Sequence, residues 1–520
     1  MHLWLILYIF VASYCFQSVE LFTLSAVDHR ARGFREVAWW LEANSVSAVS
    51  SQADDAAMEN LTKNESYRTA IVLLDPVTEW KPVLDAALRL GLLVIAVQIS
   101  PINDSMKQFV PSSLMLEEAG ASYVLDPQDR DVFSCIQGLN NIVEQDEEKN
   151  PNQSQPLKIG AVIPLSETAV DFVDILSASL GVATYNPLDQ VLPKRDKGFM
   201  KDAVRKSGLP IANFARLWNY ADLPRYMESL SLEYPVVIKT PQGFSSSDVY
   251  ICSSQEQAQK ALNHILNHKG PDGRTPQCAL LEEYIGGTEF AVNLIGTSRL
   301  GGTDTGDLVV TDVWKYEKTE QAQYKGATLC DLTDYNLREI CKYAKGVAKA
   351  VGIEYGAAHV ELKAQPSCDD NNVVSYINPI MMEVGARLSG GRKATMTHVA
   401  YGGSWDPFGS LIQSHMGKLE LPTAMPSPLH DVLHIFLPVH RSGRIRNISC
   451  ILNGPKESQR NHLQTLHSHV WMVKVGQWVG ETKDITSCAG FVWLVGRRDL
   501  VEKDADAIRS SYRIEFEDES

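Results

Sequence analysis

The chain predicts a mixed architecture, α/β at its start and α+β beyond. From residue 69 to about 190, short apolar runs alternate with helix-length segments. That order buries a parallel sheet between two layers of helices. After "NPLDQVLPKRDK" the alternation gives way to strands that follow one another across glycine bends. Length adds a third constraint: 520 residues exceed the roughly 250 to 300 at which one core stops growing, so several packed units are expected.

Taken in order, residues 1–67 read as an extension. "TAIVLLDP" (69–76) is a strand, "EWKPVLDAALRLG" a helix stopped by Gly91, and "LLVIAVQIS" a second strand. "ASYVLDP" and "KIGAVIPL" continue the sheet, separated by "EQDEEKNPNQSQP", which reads as a loop too polar to order itself. Residues 68–190 therefore form a Rossmann-like domain. It has no G-x-G-x-x-G turn, so a dinucleotide site is not supported. "KGFMKDAVRKSG" is a helix closed by Gly208, "YPVVIKT" a strand, and "SQEQAQKALNHILNH" a helix; "ALLEEYIGGTEFAVNLIG" reads as an antiparallel pair bent at Gly286-Gly287. A further piece follows over 421–520.

The formal charge of −15 argues against phosphate-rich polymers and anionic membranes as nonspecific partners, since both repel an acidic surface. The nine cysteines include no C-x-x-C pair and read as reduced thiols. "LWLILYIFVA" is about as long as a signal-peptide core but has no basic residue before it, and it is too short to span a bilayer. A cytoplasmic location is the expectation, with organellar or secretory entry through this segment as the alternative.

Three stretches carry chemistry. Lys239 closes an apolar strand and "PQGFSSSD" follows, placing an ammonium near backbone N–H groups and the hydroxyls of Ser245, Ser246 and Ser247. Such a loop suits polyphosphate oxygens, and equally suits a flexible hairpin tip. "LLEEYIGGTEF" ends a strand on Glu282 and Glu283, and Glu289 past the bend is placed to accept from sugar hydroxyls; a solvated strand end is the competing reading. In "AAHVELK", His359, Glu361 and Lys363 share a strand face, as do Glu383, Gly385 and Arg387 in "INPIMMEVGARLSGG". If these strands pair, two carboxylates meet in an apolar setting and call for a cation. Magnesium fits, because it uses few protein carboxylates and fills its shell with substrate phosphates. Gly385 would leave room for that shell, and Arg387 would face a developing oxyanion. The alternative is a buried Glu383–Arg387 ion pair.

These motifs, in this order from about 69 to 500, resemble those of ATP-grasp ligases, and most of all the dipeptide-forming L-amino acid ligases and carnosine-synthase-like enzymes; "GARLSGG" is the most specific. The resemblance implies an ATP-grasp core over 191–420 with a lid at about 205–280, and a C-terminal α+β subdomain over 421–520. It implies that Lys197 and Lys239 contact ATP phosphates, that the backbone from Glu282 through Glu283 and Tyr284 to Ile285 holds adenine, and that Glu289 holds ribose. Glu361 and Glu383 would ligate one or two Mg2+ ions, with Mn2+ an acceptable substitute, and Arg387 would be catalytic. His359, His398, Gly390 and Gly391 are candidates for the substrate pocket; the plainer reading makes His398 a satisfied loop histidine and Asp406 a turn aspartate. Gly385 stands where many relatives carry Asn, and Asp248 where a lid glycine is usual. The expected reaction joins a small-molecule carboxylate to an amine through an acyl phosphate, releasing ADP and phosphate. A carboxylase-type relative or an inactive ATP-binding protein are the alternatives. Neither nucleic acid nor membrane is expected as a partner, and a homodimer is compatible with the reading.

Overall fold

A computed structural model describes residues 67–517, apart from 101–108, 128–129, 150–154, 244–247, 271–272, 298–306, 319–323, 369, 371–372, 420–424, 456–461 and 484. The first part holds β1 (Arg68–Leu74), α1 (Trp80–Arg89), β2 (Leu93–Val97), α2 (Ser113–Glu118), β3 (Tyr123–Leu125), α3 (Val132–Lys149), β4 (Leu157–Pro164) and α4 (Val173–Ser179). Its four strands run parallel in the order β3-β2-β1-β4. Alternation along β1 explains the double cover: Ile71 and Leu73 pack with α1 residues Val83 and Leu84, while Ala70, Val72 and Leu74 pack with Cys135 and Leu139 of α3 and Leu176 of α4. The polar stretch read as a loop is partly helix, since α3 runs through Glu144 to Lys149. Its Glu, Gln and Lys residues favour helix, and Asp146 ties it to the sheet by an ion pair with Arg68 and a 2.6 Å bond from Tyr123.

The second part contains α5 (Lys197–Lys206), β5 (Phe214–Leu217), α6 (Asp222–Ser229), β6 (Val236–Lys239), β7 (Val249–Cys252), α7 (Gln255–Asn267) and β8 (Ala279–Glu283). The four strands form one antiparallel sheet, β5-β8-β6-β7, with α7 packed on its apolar face. Next come β9 (Thr288–Gly296), β10 (Leu308–Lys318), β11 (Tyr324–Leu329), α8 (Arg338–Ala350), β12 (Ala357–Cys368), β13 (Val374–Gly385), α9 (Lys393–Ala400) and α10 (Pro407–His415). The last are β14 (Asp431–Leu437), β15 (Gly443–Ser449), β16 (Leu466–Trp471), β17 (Trp478–Val479), β18 (Gly490–Gly496), α11 (Arg498–Ser511) and β19 (Arg513–Phe516).

Strands β9–β13 make an eight-stranded sheet with β14, β16 and β18, in the order β13-β12-β9-β10-β11-β14-β18-β16. Three strands from beyond residue 421 thus extend the same sheet, and the small sheet β17-β15-β19 sits beside it. The expected pairing across Gly286-Gly287 does not occur, because β8 belongs to the four-stranded sheet and β9 to the eight-stranded one. Gly287 makes that crossing possible: its φ is +106°, and a Cβ there would stand 2.5 Å from the Ala364 carbonyl oxygen. All eight cysteines within the described residues are free thiols. No described helix is long and apolar enough to cross a membrane.

Two buried histidines set an acid limit on stability. His415 on α10 has its pKa pushed down to about 4 by burial, and burial likewise takes His434 on β14 well below its usual value, helped by Lys393 and Arg392. Both groups bind a proton more readily when unfolded, near pH 6.5, so the stability they contribute is present above that pH and is lost as pH falls toward 4. Over that window each imidazole steepens the loss by up to about 1.4 kcal/mol per pH unit. Urea unfolding of a His415→Asn variant should show a shallower decline between pH 6.5 and 4 than the parent.

Candidate functional site

The expected pairing of the two acid-bearing strands is present. β12 and β13 run antiparallel with Glu361 opposite Glu383 and His359 opposite Gly385. The Lys197 ammonium, from the first turn of α5, lies 3.1 Å from Glu383 Oε2 and donates to the Gly243 carbonyl at 2.6 Å. α5 starts there because Asp196 caps it, accepting from Gly198 and Phe199 N–H groups. Glu361 bonds His359 Nε2 at 3.1 Å. Burial opposes its charge, but that bond together with Lys393 and Lys318 holds its pKa down to about 2.

Behind His359 runs a buried polar chain. His359 Nδ1 lies 2.7 Å from Asn293 Oδ1, and the Asn293 amide donates to Asp312, which also accepts from Trp314 Nε1 at 2.8 Å and Thr311 Oγ1 at 3.0 Å. His359 is thereby spoken for at both nitrogens. The chain fixes the ring that orients Glu361.

Lys239 closes β6 and reaches across to the large sheet, 3.2 Å from the Met382 carbonyl and 3.0 Å from Glu282 Oε1. Glu282 is fully buried, and Lys201 stands 3.1 Å from its other oxygen. Burial pulls the Lys201 pKa down to about 8 against the pull of Glu282. Lys201 lies four residues after Lys197, one turn on along the same face of α5. That spacing was the available signal for a residue the sequence reading did not single out. Glu282 was expected to contribute backbone; its side chain is a counter-ion between two lysines. Further along, Glu283 anchors β8 through the Asn213 backbone, Tyr284 lies 5.1 Å beneath the Lys363 ammonium, and the Ile285 carbonyl accepts from Lys363 at 2.9 Å. Glu289 is held by Lys318 at 2.7 Å and by the Tyr324 hydroxyl at 3.0 Å.

Arg387 is paired, though with neither metal-candidate acid. Its Nε donates to Glu167 at 2.6 Å, and a second nitrogen donates to the Leu388 carbonyl. Burial disfavours a charged Glu167, but Arg387, Arg195 and Lys197 outweigh it and hold its pKa below the usual carboxylate range. Asp75 at the end of β1 places Glu167: it accepts from the Ile99 and Ser100 N–H groups and from the hydroxyls of Ser166 and Thr168, which flank Glu167. The space expected to serve a metal shell at Gly385 faces this pair, since a Cβ there would stand 3.3 Å from Glu167 Oε2. Beside Arg387 is a small cavity of about 20 Å³, reached by Asn293, Asp312, Ser389 and Trp405, which is room for a water or so. The Trp405 indole N–H has no hydrogen-bond partner among the described residues.

The remaining candidates divide. Ser245, Ser246 and Ser247 lie outside the described residues. Asp248, at φ +55°, adopts the left-handed conformation a glycine takes without strain, and Tyr250 donates to its carboxylate. His398 Nδ1 is 2.6 Å from the Trp405 carbonyl oxygen, and Asp406 caps α10; both fit the plainer reading. Gly390 and Gly391 form the turn into α9, where the Gly391 carbonyl accepts from Trp493.

The donor set also suits a metal. No cluster of three or more His, Cys, Asp or Glu side chains spaced for a metal exists among the described residues. An ion here would rely on Glu361 and Glu383 and take the rest of its shell from water and phosphate, as magnesium does.

Two sheets joined by a glycine crossing, with two facing acids on one and lysines drawn in around them, make up an ATP-grasp fold. Residues 232–386 match the ATP-grasp domain family. The chain is 27% identical over 243 residues to dapdiamide A synthase from Enterobacter agglomerans, covering 46% of this chain and 53% of that protein. It is 28% identical over 152 residues to phosphoribosylamine–glycine ligase from Leptospira interrogans, covering 28% and 34% of the two chains. The match to these curated relatives therefore spans about half their length or less. Among solved structures, an L-amino acid ligase from Bacillus licheniformis superposes with a TM-score of 0.63 at 18% identity, covering 88% of this chain and all of that one. A biotin carboxylase from Campylobacter jejuni gives 0.55 at 15% identity, covering 86% and 92%; at these identities the likeness is one of fold.

Proposed function

We propose that the chain is an ATP-dependent carboxylate–amine ligase that joins amino acids or amino-acid-like small molecules into an amide. The observation that carries this is the Glu361–Glu383 pairing, with Lys197 on one carboxylate and Arg387 two residues beyond the end of the strand that carries Glu383. Lys197 and Lys239 give up Glu383 and Glu282 in part to hold ATP phosphates, and the segment from Glu282 to Ile285 lines the adenine. Glu289, already oriented by Lys318 and Tyr324, accepts from the ribose. Glu361 and Glu383 hold Mg2+, which when bound offsets charge on the phosphates. A substrate carboxylate attacks the γ-phosphate of ATP, giving an acyl phosphate and ADP. The amine then attacks the activated carbonyl, Arg387 stabilises the oxyanion, and phosphate leaves. The likeness to dapdiamide A synthase supports amide formation over carboxylation.

The test is phosphate release from Mg-ATP with pools of amino acids, with hydroxylamine added to trap the acyl phosphate as a hydroxamate. The expected result is hydroxamate in at least one pool, abolished by EDTA and restored by Mg2+ or Mn2+. ATP binding with no phosphate release from any carboxylate pool would replace the ligase with an inactive nucleotide-binding protein.

A further inference from the structure

Arg387 is held in a way that conflicts with the role proposed for it. Its Nε donates to Glu167 Oε2 at 2.6 Å and a second nitrogen to the Leu388 carbonyl. A carboxylate at that distance cancels much of the field that a guanidinium would present to a developing oxyanion. Glu167 has no easy escape to solvent, since its side chain is 12% exposed and the residues on both sides of it are tied to Asp75 through their hydroxyls. If Arg387 is to act, Glu167 needs another cation within reach of a side-chain rotation.

Arg195 answers that description. It is 2% exposed, and of its guanidinium nitrogens only Nη2 is bonded, to the Gln242 carbonyl at 3.0 Å. Nε and Nη1 are buried with no hydrogen-bond partner among the described residues, a state that costs free energy. Its neighbours are committed elsewhere: Lys194 to Asp174 at 3.0 Å, Asp196 to the start of α5, and Lys197 to Glu383. Arg195 follows the short 3-10 turn Leu192–Lys194, Glu167 precedes the turn Thr168–Asp171, and the two turns pack together. Burial raises the Glu167 pKa, and among the charges that outweigh it Arg195 comes second, after Arg387. Glu167 also has an oxygen to offer, because its bond to Arg387 uses Oε2 alone. Gly385 gives the pair room to part: a Cβ there would stand 3.3 Å from Glu167 Oε2 and 3.6 Å from Arg387 Cζ.

We infer that Arg195 is a positioning residue that takes over Glu167 when Arg387 turns to the oxyanion, so that one carboxylate passes between two arginines during the reaction. This rests on the ligase reading and adds to it the step that frees Arg387. The exchange trades one buried ion pair for another and satisfies nitrogens that lack an acceptor, so neither state strands a charge. No covalent bond changes in it.

The test is a double-mutant cycle between Arg195→Gln and Glu167→Gln, read as amide formation at saturating nucleotide. With Glu167 in place, Arg195→Gln should lower turnover about 10-fold, a coupling of the size usual within one charge network, with KM little changed. Arg195→Lys, which keeps the charge, should recover most of that loss. In the Glu167→Gln background no carboxylate holds Arg387, and Arg195→Gln should cost nothing further. An equal loss in both backgrounds, or no loss in either, would overturn the exchange. A second arm needs no turnover: thermal melting of Arg387→Ala with and without Arg195→Gln. While Arg195 is present Glu167 falls back on it, so Arg387→Ala should lower the melting temperature less than it does once Arg195→Gln is added; simply additive losses would overturn the exchange. Arg195→Met, without donors, stands in for Arg195→Gln in either arm if the latter does not fold. The ligase reading fails separately, by absence of hydroxamate from the parent, and the melting arm still decides the exchange.

Discussion

Arg387→Ala is expected to lower amide formation by about 100- to 1000-fold, the usual loss when one oxyanion donor is removed, while nucleotide binding persists. The structure adds a complication. Glu167 would be left buried with its 2.6 Å partner gone, so the single variant should also lose stability. The double variant Glu167→Gln/Arg387→Ala removes the stranded charge. It should melt nearer to the parent while its turnover stays as low as that of the single variant. Product formation followed by chromatography, beside nucleotide binding followed by fluorescence, separates these effects. Turnover recovered in the double variant would mean that Arg387 acts only by neutralising Glu167.

Glu282→Gln is expected to produce the largest loss of stability of any single substitution in the site, about 3 to 5 kcal/mol, the usual cost of removing one member of a buried ion pair. Glu282 is the shared counter-ion of Lys201 and Lys239, at 3.1 and 3.0 Å. An amide in its place leaves two buried ammonium groups with nothing between them but a dipole. Lys201, whose pKa burial already depresses to about 8, would shed its proton more readily in the variant. The deficit relative to the parent should therefore be smaller at pH 9 than at pH 7, which melting curves at the two values would show. An equal deficit at both pH values would mean that packing, not charge, is what Glu282 contributes.

Much of this was legible in the chain because it follows from local rules. Period-two alternation set Glu361 and Glu383 on matching faces, and their cross-strand register is the one observed. Strand and helix alternation gave the parallel sheet. What was not legible depends on partners remote in sequence. Arg387 was expected to face an open site or Glu383, and its partner Glu167 lies 220 residues away, placed by Asp75 through two hydroxyls. Glu282 carries no local mark of being a counter-ion, since its two lysines come from a helix and a neighbouring strand. The hairpin expected at Gly286-Gly287 failed because a tight glycine bend serves equally well to leave one sheet for another. Lys393 carries no local mark of burial either; it is buried against Tyr316, 77 residues away in the chain.

The pairing of Lys197 with Glu383 has a thermodynamic consequence. On the proposed reading, the protein holds this cation and this anion in mutual embrace before any ligand arrives. Polyphosphate alone would have to detach the lysine and strand the acid; a divalent ion alone would do the reverse. Arriving together, each ligand takes the partner the other has released. Coupling of this kind is reciprocal, so Mg2+ should raise the affinity for ATP by the same factor by which ATP raises the affinity for Mg2+.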